Sequence, residues 1–260
     1  MGSTGSIGTS ALSVVRHANT GAQGFEIVAL AAGSDVAKLA EQALEFRPEI
    51  AVVADERRLD ELRARLAGSG IETAGGRAAV VEAAARPADR VLAAIVGAAG
   101  LESTLAAVQA GNDVAIANKE SVVCGGALIL SEAQKAGVNV LPVDSEHSAI
   151  HQCLGNGRSL EQLTLTASGG PFRTATLDQM RGATPAQAAA HPNWNMGIKN
   201  SIDSATLMNK ALEFIEAAYL FGIPPEQIDT PGVYVHRVIV GTHEKRIERR
   251  TTLPAQAKAG

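Results

Sequence analysis

Residues Glu26–Ala54, EIVALAAGSDVAKLAEQALEFRPEIAVVA, decide the fold class. Glu26–Ala32 is an almost wholly apolar run that predicts a strand, Val36–Phe46 carries apolar residues at helical spacing, and Ile50–Ala54 predicts a second strand. A strand apolar on every position must be covered on both faces, so strand, helix and strand in that order imply a parallel βαβ unit. The pattern extends through a charged amphipathic stretch, Arg57–Leu66. It resumes with the strand Val91–Val96, a helix over Leu101–Ala110, the strand Asp113–Ala117, a helix over Val122–Ala136 and the strand Val138–Val143. A doubly wound parallel α/β sheet with right-handed crossovers is the expected result. Beyond Asp144 the rhythm changes: one more strand, Gln162–Ala167, an irregular stretch rich in Ala and Pro, then a long helix from about Ser204 to Leu220.

Composition agrees. The 260 residues are 46% apolar but only 3% aromatic, so Ala, Val, Leu and Ile fill the core. Small side chains let helices lie close on a sheet. A chain of this length buries about 75% of its unfolded surface and needs no disulfide staples. The longest near-apolar run, Val91–Leu101, holds 11 residues and two glycines and is too short to span a bilayer. No basic segment followed by an apolar stretch opens the chain, and two cysteines make no disulfide framework; a cytoplasmic setting is expected. The net charge of −4 argues against a nucleic-acid partner. From Gly232 onward six Lys/Arg face two Glu, a net +4 within a chain of −4, so residues 1–231 carry −8.

Several groups of residues carry chemistry. Gly2-Ser3-Thr4-Gly5-Ser6-Ile7-Gly8 spaces its glycines as G-x-x-G-x-x-G ahead of a helix, a pattern that brings backbone N–H groups and a helix N-terminus to a pyrophosphate. Glycine-rich openings also occur without that function, and only Met1 precedes this one. Asp35, after the strand that ends at Ala32, either reads an adenosine ribose or caps the following helix. Asp144 and Glu146, two apart, point to one side of an extended chain and would repel unless a divalent cation joined them; solvated acids at a strand end are the alternative. His147 caps, packs or ligates. Asn209, Lys210 and Glu213 share one helix face, with Leu207, Met208, Leu212, Ile215 and Tyr219 expected on the buried side. Ser168 beside Gly169-Gly170 suits phosphate contacts, and Asn118-Lys119-Glu120 follows a strand where open α/β sheets bind ligands.

Seven blocks together resemble one family. They are Gly2–Gly8, Ile95–Leu101 (IVGAAGL), Ala117–Ser121 (ANKES), Pro142–His147 (PVDSEH), Ser168–Phe172 (SGGPF), His191–Trp194 (HPNW), and Asp203–Thr206 (DSAT) with Met208–Lys210 (MNK). In this order and spacing, from residue 2 to about Asp229, the chain resembles the 1-deoxy-D-xylulose 5-phosphate reductoisomerases.

The resemblance implies a Rossmann-like NADPH-binding domain over residues 1–143 and a smaller α+β catalytic domain over 144–229. It implies an NADPH-dependent, Mg²⁺- or Mn²⁺-dependent rearrangement and reduction of 1-deoxy-D-xylulose 5-phosphate to 2-C-methyl-D-erythritol 4-phosphate, on the route to isoprenoid precursors. Position by position, Asp144, Glu146 and Glu213 match metal ligands, and Lys119, Glu146 and Glu213 match the residues nearest the chemistry. Ser145, Ser168, His191, Trp194, Ser204, Asn209 and Lys210 match substrate contacts, His191 and Trp194 lying on the family's lid. Thr4, Gly5, Ser6, Ile7, Gly33 and Asn118 match cofactor contacts. The expected partner is a small phosphorylated sugar, with no nucleic acid, no membrane and a homodimeric assembly.

The chain also departs from the pattern. The strand expected ahead of the glycine turn is largely missing, Ser34-Asp35 stands where a more basic or amide pair is usual, and residues 230–260 show no family resemblance. Two other readings therefore stand beside the first: an inactive or poorly folding fragment of the enzyme, and a different NAD(P)-dependent dehydrogenase of a small phosphorylated or acidic substrate.

Overall fold

The computed structural model describes residues 1–21, 24–154, 160, 162–167, 170–190, 197–230, 241–242 and 245–246. The chain divides into two compact units, Met1–Val143 and Asp144–Gly260.

The first unit runs α1 (Ser6–Ala18), β1 (Ala29–Ala32), α2 (Val36–Phe46), β2 (Ile50–Val53), α3 (Leu59–Arg65), β3 (Glu72–Gly75) and α4 (Arg77–Ala84). It continues with β4 (Arg90–Ala93), α5 (Leu101–Gln109), β5 (Asp113–Ile116), α6 (Lys119–Ala136) and β6 (Val140–Pro142). Two parallel sheets result, ordered β1-β2-β3 and β4-β5-β6. The pleat explains the apolar runs of the sequence. Leu30, Ala32, Ala51 and Val53 face one cluster with Leu12 of α1 and Leu39 and Ala43 of α2, while Ala31, Ile50 and Val52 face the other with Val80 and Ala83 of α4. Full burial of a side chain such as Leu39 contributes about 1.5–3 kcal/mol. The strand β3 and helix α4 fall in a stretch where the sequence pattern predicts neither element. β3 is a half-exposed edge of four residues, ETAG, and α4, RAAVVEAA, is mostly alanine and valine with little contrast between its faces.

The first residues join the two sheets. The Met1 amine donates to the Leu92 carbonyl at 2.8 Å, Ala94 N–H donates to the Met1 carbonyl at 3.0 Å, and Gly2 and Ser3 N–H both donate to the Ala31 carbonyl at 2.8 Å. Met1–Ser3 thus occupies the place between β1 and β4 at which strand order reverses, the switch point where open α/β sheets bind ligands.

The second unit contains α7 (Ser145–Leu154), β7 (Leu163–Thr164), α8 (Leu177–Arg181), α9 (Pro185–Ala189), α10 (Ile198–Ala205), α11 (Met208–Phe221) and β8 (Ile228–Asp229), with β7 and β8 parallel. Two short strands, β9 (Gly241–Thr242) and β10 (Lys245–Arg246), pair antiparallel. Its core joins Ile150 of α7, Leu163 and Leu165, Ala217 of α11, Ile223 and Ile228.

Two expectations need correction. The helix expected over 204–220 is two helices, broken where Leu207 adopts φ 62°, a left-handed conformation. Most of the side of α11 expected to be buried is open: Leu207, just before the helix, and Met208 are 54% and 51% exposed, Ile215 and Tyr219 are exposed as well, and Leu212 is half-buried, while Glu213, Glu216 and Ala217 are buried. Apolar periodicity misleads here because the helix turns Glu213 and Glu216 inward beside Ala217, with Phe214 and Phe221 packed on the core, and leaves the stripe through Ile215 and Tyr219 open.

Candidate functional site

In the first unit the glycine turn is shaped by contacts a side chain would destroy. A Cβ on Gly8 would lie 2.3 Å from the Gly2 carbonyl oxygen, and one on Gly2, at φ +83°, would lie 2.4 Å from the Ala94 oxygen. The turn therefore packs backbone on backbone, and α1 starts at Ser6 with Gly5 as its cap and no side-chain oxygen at its first N–H groups. Gly5, Ser6 and Ile7 are exposed and Thr4 is half-buried, so the donors of this N-terminus stay open to an anionic group. Two residues of α2 that the motif reading did not single out support the turn from behind. Lys38 Nζ donates to the Thr4 carbonyl at 2.9 Å, and buried Gln42 Nε2 donates to the Ser3 carbonyl at 3.0 Å. Asp35 caps α2, accepting from Lys38 N–H at 3.1 Å, which is one of the two roles the sequence allows. Gly33 is exposed beside it, and a Cβ there would meet nothing within 4 Å.

Asn118 is buried and caps α6. Its Oδ1 accepts from Ser121 N–H at 2.6 Å, while its amide donates to the carbonyls of Ile95 and, at 2.9 Å, Gly97. It thereby ties the end of β5 to the loop after β4. Lys119, half-buried, is the first residue of α6.

In the second unit the carboxylates converge. Asp144, Glu146 and Glu213 each offer one oxygen within 4.8 Å of the others. The local geometry differs from the extended pair the spacing suggests: Ser145 begins α7, Glu146 lies in its first turn, and Glu146 N–H donates to Asp144 Oδ1 at 3.3 Å. The acids meet at a helix N-terminus, where dipole and N–H groups favour negative charge. Ser145 Oγ donates to Glu146 Oε2 at 2.6 Å. Burial, and then the charges of Glu213 and Asp144, push the Glu146 carboxyl above its ordinary range despite that hydrogen bond. Crowded carboxylates of this kind form a hard-oxygen site suited to Mg²⁺ or Mn²⁺.

Around Glu213, which is 1% exposed, α11 supplies its own partners: Asn209 Nδ2 donates to one carboxylate oxygen, and Lys210 Nζ bonds the other and the Thr166 carbonyl. Asn209, Lys210 and Glu213 thus form the one-faced set that the spacing implies, anchored to the segment after β7. His147 is wholly buried, its Nε2 2.9 Å from the Glu213 backbone oxygen and its Nδ1 3.3 Å from Asp144 Oδ1. Burial opposes a charged imidazole, but the close approach of the Asp144 carboxylate and the charge of Glu216 outweigh it and raise its pKa. Glu216, also buried, went unnoticed in the sequence, where nothing marks it off from a solvated helix glutamate. Ser204, half-buried in α10, sits where Gly170 approaches so closely that a Cβ would lie 2.7 Å from the Ser204 carbonyl oxygen. Ser168, His191 and Trp194 lie outside the described residues.

Two family models match the chain: 1-deoxy-D-xylulose 5-phosphate reductoisomerase over residues 1–126, and the C-terminal domain of the same enzyme over residues 140–221. A solved reductoisomerase from Zymomonas mobilis in complex with NADPH superposes with a TM-score of 0.81 at 38% identity, covering 98% of this chain and 73% of that one. The chain belongs to the 1-deoxy-D-xylulose 5-phosphate reductoisomerase family. Among curated reductoisomerases, that of Rhodospirillum centenum is 54% identical over 244 residues and that of Caulobacter vibrioides 53%, each match covering 92% of this chain. The chain spans about 60% of the length of these relatives. A reductoisomerase in complex with NADPH, fosmidomycin and magnesium gives a TM-score of 0.83 at 42% identity, covering 88% of this chain and 59% of that one. The two family models reach from the first residue of the first unit into α11 of the second. Among the described residues, no helix is long and apolar enough to cross a membrane.

Proposed function

We propose that this chain performs the NADPH- and divalent-metal-dependent conversion of 1-deoxy-D-xylulose 5-phosphate to 2-C-methyl-D-erythritol 4-phosphate, residues 1–143 holding the nucleotide and 144–229 the metal and the sugar phosphate. The observation that carries this reading is the convergence of Asp144, Glu146 and Glu213 within 4.8 Å, with Asn209 and Lys210 bonded to Glu213. The reductoisomerase complexes with NADPH and magnesium support it.

When bound, the divalent cation supplies Lewis-acid stabilisation of substrate oxygens that gain negative charge during the rearrangement. The residues do the rest. Lys210 and Asn209 hold Glu213 in one rotamer, so its carboxylate needs little reorganisation to act as a ligand. Ser145, Ser204 and the family lid residues His191 and Trp194 are the proposed substrate contacts, with Ser168 and Lys210 toward the phosphate. Lys119, at the start of α6, is the proposed cation for substrate oxygens. The open N–H groups of Ser6 and Ile7 at the start of α1 take the cofactor pyrophosphate, with Thr4, Gly5, Gly33 and Asn118 beside it. Bound there, NADPH would supply the hydride for the reduction. A cytoplasmic location and a homodimer complete the proposal; both cysteines, Cys124 and Cys153, are free thiols in the structure.

The test follows NADPH oxidation by the purified chain with 1-deoxy-D-xylulose 5-phosphate. Turnover that EDTA abolishes and Mn²⁺ or Mg²⁺ restores is the expected result. EDTA-insensitive turnover of another substrate would establish a simple dehydrogenase. A folded chain that binds both NADPH and Mn²⁺ yet never turns over would be the inactive fragment.

A further inference from the structure

Glu216 lies on α11 three residues beyond Glu213, is 0% exposed, and is not one of the three carboxylates whose oxygens converge. A buried carboxylate is costly unless something compensates it, and removing one partner of a buried pair costs more than the pair is worth. One neighbour is His147, also 0% exposed, with Nδ1 3.4 Å from Glu216 Oε2 and 3.3 Å from Asp144 Oδ1. The opposite edge of the ring is committed: Nε2 lies 2.9 Å from the Glu213 carbonyl oxygen, which can only accept, so Nε2 carries a proton. Phe221 stacks on the ring with centroids 6.1 Å apart and restricts its tilt.

We propose that Glu216 is a positioning residue of the metal site, holding His147 in the one orientation that fixes the Asp144 carboxylate on one side and the Glu213 backbone on the other. Two of the three ligand residues, one at the start of α7 and one on α11, are then held through a single imidazole whose orientation depends on a fourth carboxylate. Groups behind a ligand set commonly change metal affinity by about 10–100-fold when lost. The inference rests on the metal reading above and adds to it a residue that touches neither metal nor substrate.

The test measures Mn²⁺ affinity of the full chain by the electron paramagnetic resonance of free Mn²⁺, with NADPH affinity and thermal unfolding recorded alongside. Glu216→Gln is expected to weaken Mn²⁺ binding about 10-fold with NADPH affinity unchanged. His147→Asn is expected to weaken it similarly, and the double variant to bind no more weakly than His147→Asn alone, since both act along one path. Additive losses would mean that Glu216 acts independently of His147 and would overturn the proposal, as would unchanged affinity in Glu216→Gln. If the glutamine variant fails to fold, Glu216→Asp, which keeps the charge but withdraws it by one methylene, is expected to weaken Mn²⁺ binding, and unchanged affinity there overturns the proposal. A wild-type chain that binds no Mn²⁺ overturns the metal reading itself, and this proposal with it.

Discussion

Glu213 joins several parts of the second unit: it is 1% exposed, bonded by Asn209 and Lys210, and one of three convergent carboxylates. Glu213→Gln keeps the shape and removes the charge. We expect it to abolish Mn²⁺ binding and metal-dependent turnover while NADPH affinity stays within about twofold, because the glycine turn lies in the other unit. Isothermal titration with each ligand checks this, and unchanged Mn²⁺ affinity would remove Glu213 from the ligand set. The D-S-E-H run and the M-N-K block were legible because chemistry constrains their residue types and spacing. Glu216 was not. A glutamate on a helix is ordinarily solvated, and only its burial against His147 distinguishes it.

At the scale of elements, two backbone features make opposite predictions. Gly8 lies inside α1, where Ala would ordinarily gain about 1 kcal/mol of helix propensity. Here its Cβ would stand 2.3 Å from the Gly2 oxygen and 2.6 Å from Ser3, against backbone that cannot swing aside. The clash, about 1–3 kcal/mol, exceeds the gain, so Gly8→Ala is expected to lower the unfolding midpoint and weaken NADPH binding. Leu207 is the reverse case. It holds φ 62° between α10 and α11 with over half its surface exposed, so a left-handed Leu costs about 1–2 kcal/mol with little burial in return. Leu207→Gly, after the larger backbone entropy of glycine when unfolded, is expected to stabilise by up to about 1 kcal/mol, and Leu207→Val to destabilise; thermal melts of both decide it. Strand and helix periods were readable wherever an element had two apolar faces or one clear stripe. They failed at Leu207, since nothing in the residue types of S-A-T-L-M-N announces a left-handed break.

For the molecule as a whole, the two units should answer separately to their ligands. Hydrogen exchange is expected to slow at Thr4–Gly8 on adding NADPH and at Ser145–His147 and Lys210–Glu213 on adding Mn²⁺; a Mn²⁺ footprint confined to the glycine turn would contradict the assignment. Acid stability should also carry a local signature. Asn139 backbone and side-chain N–H groups donate to Asp113 at 2.8 and 3.1 Å and, despite some burial, hold its carboxyl below its ordinary 3.8. A carboxyl depressed in the folded state adds stability that is present above its unfolded pKa and is lost as pH falls through the folded one. Asp113→Ala should therefore lower the melting temperature at neutral pH, with the difference from wild type closing as pH drops below 3.8. A difference independent of pH would show that the charge is not its source.

The sequence by itself determined the alternation of strands and helices in the first unit, the glycine turn, and the residue types of the acid site. Those depend on local periodicity, on steric room at glycine and on chemistry that tolerates few substitutes. Tertiary structure alone decided which face of α11 is buried, the passage of Met1–Ser3 between β1 and β4, and the partnership of Glu216 with His147 across 69 residues of chain. These are contacts between positions distant in sequence, and their energies depend on what else is packed there, so residue type and spacing carry no record of them.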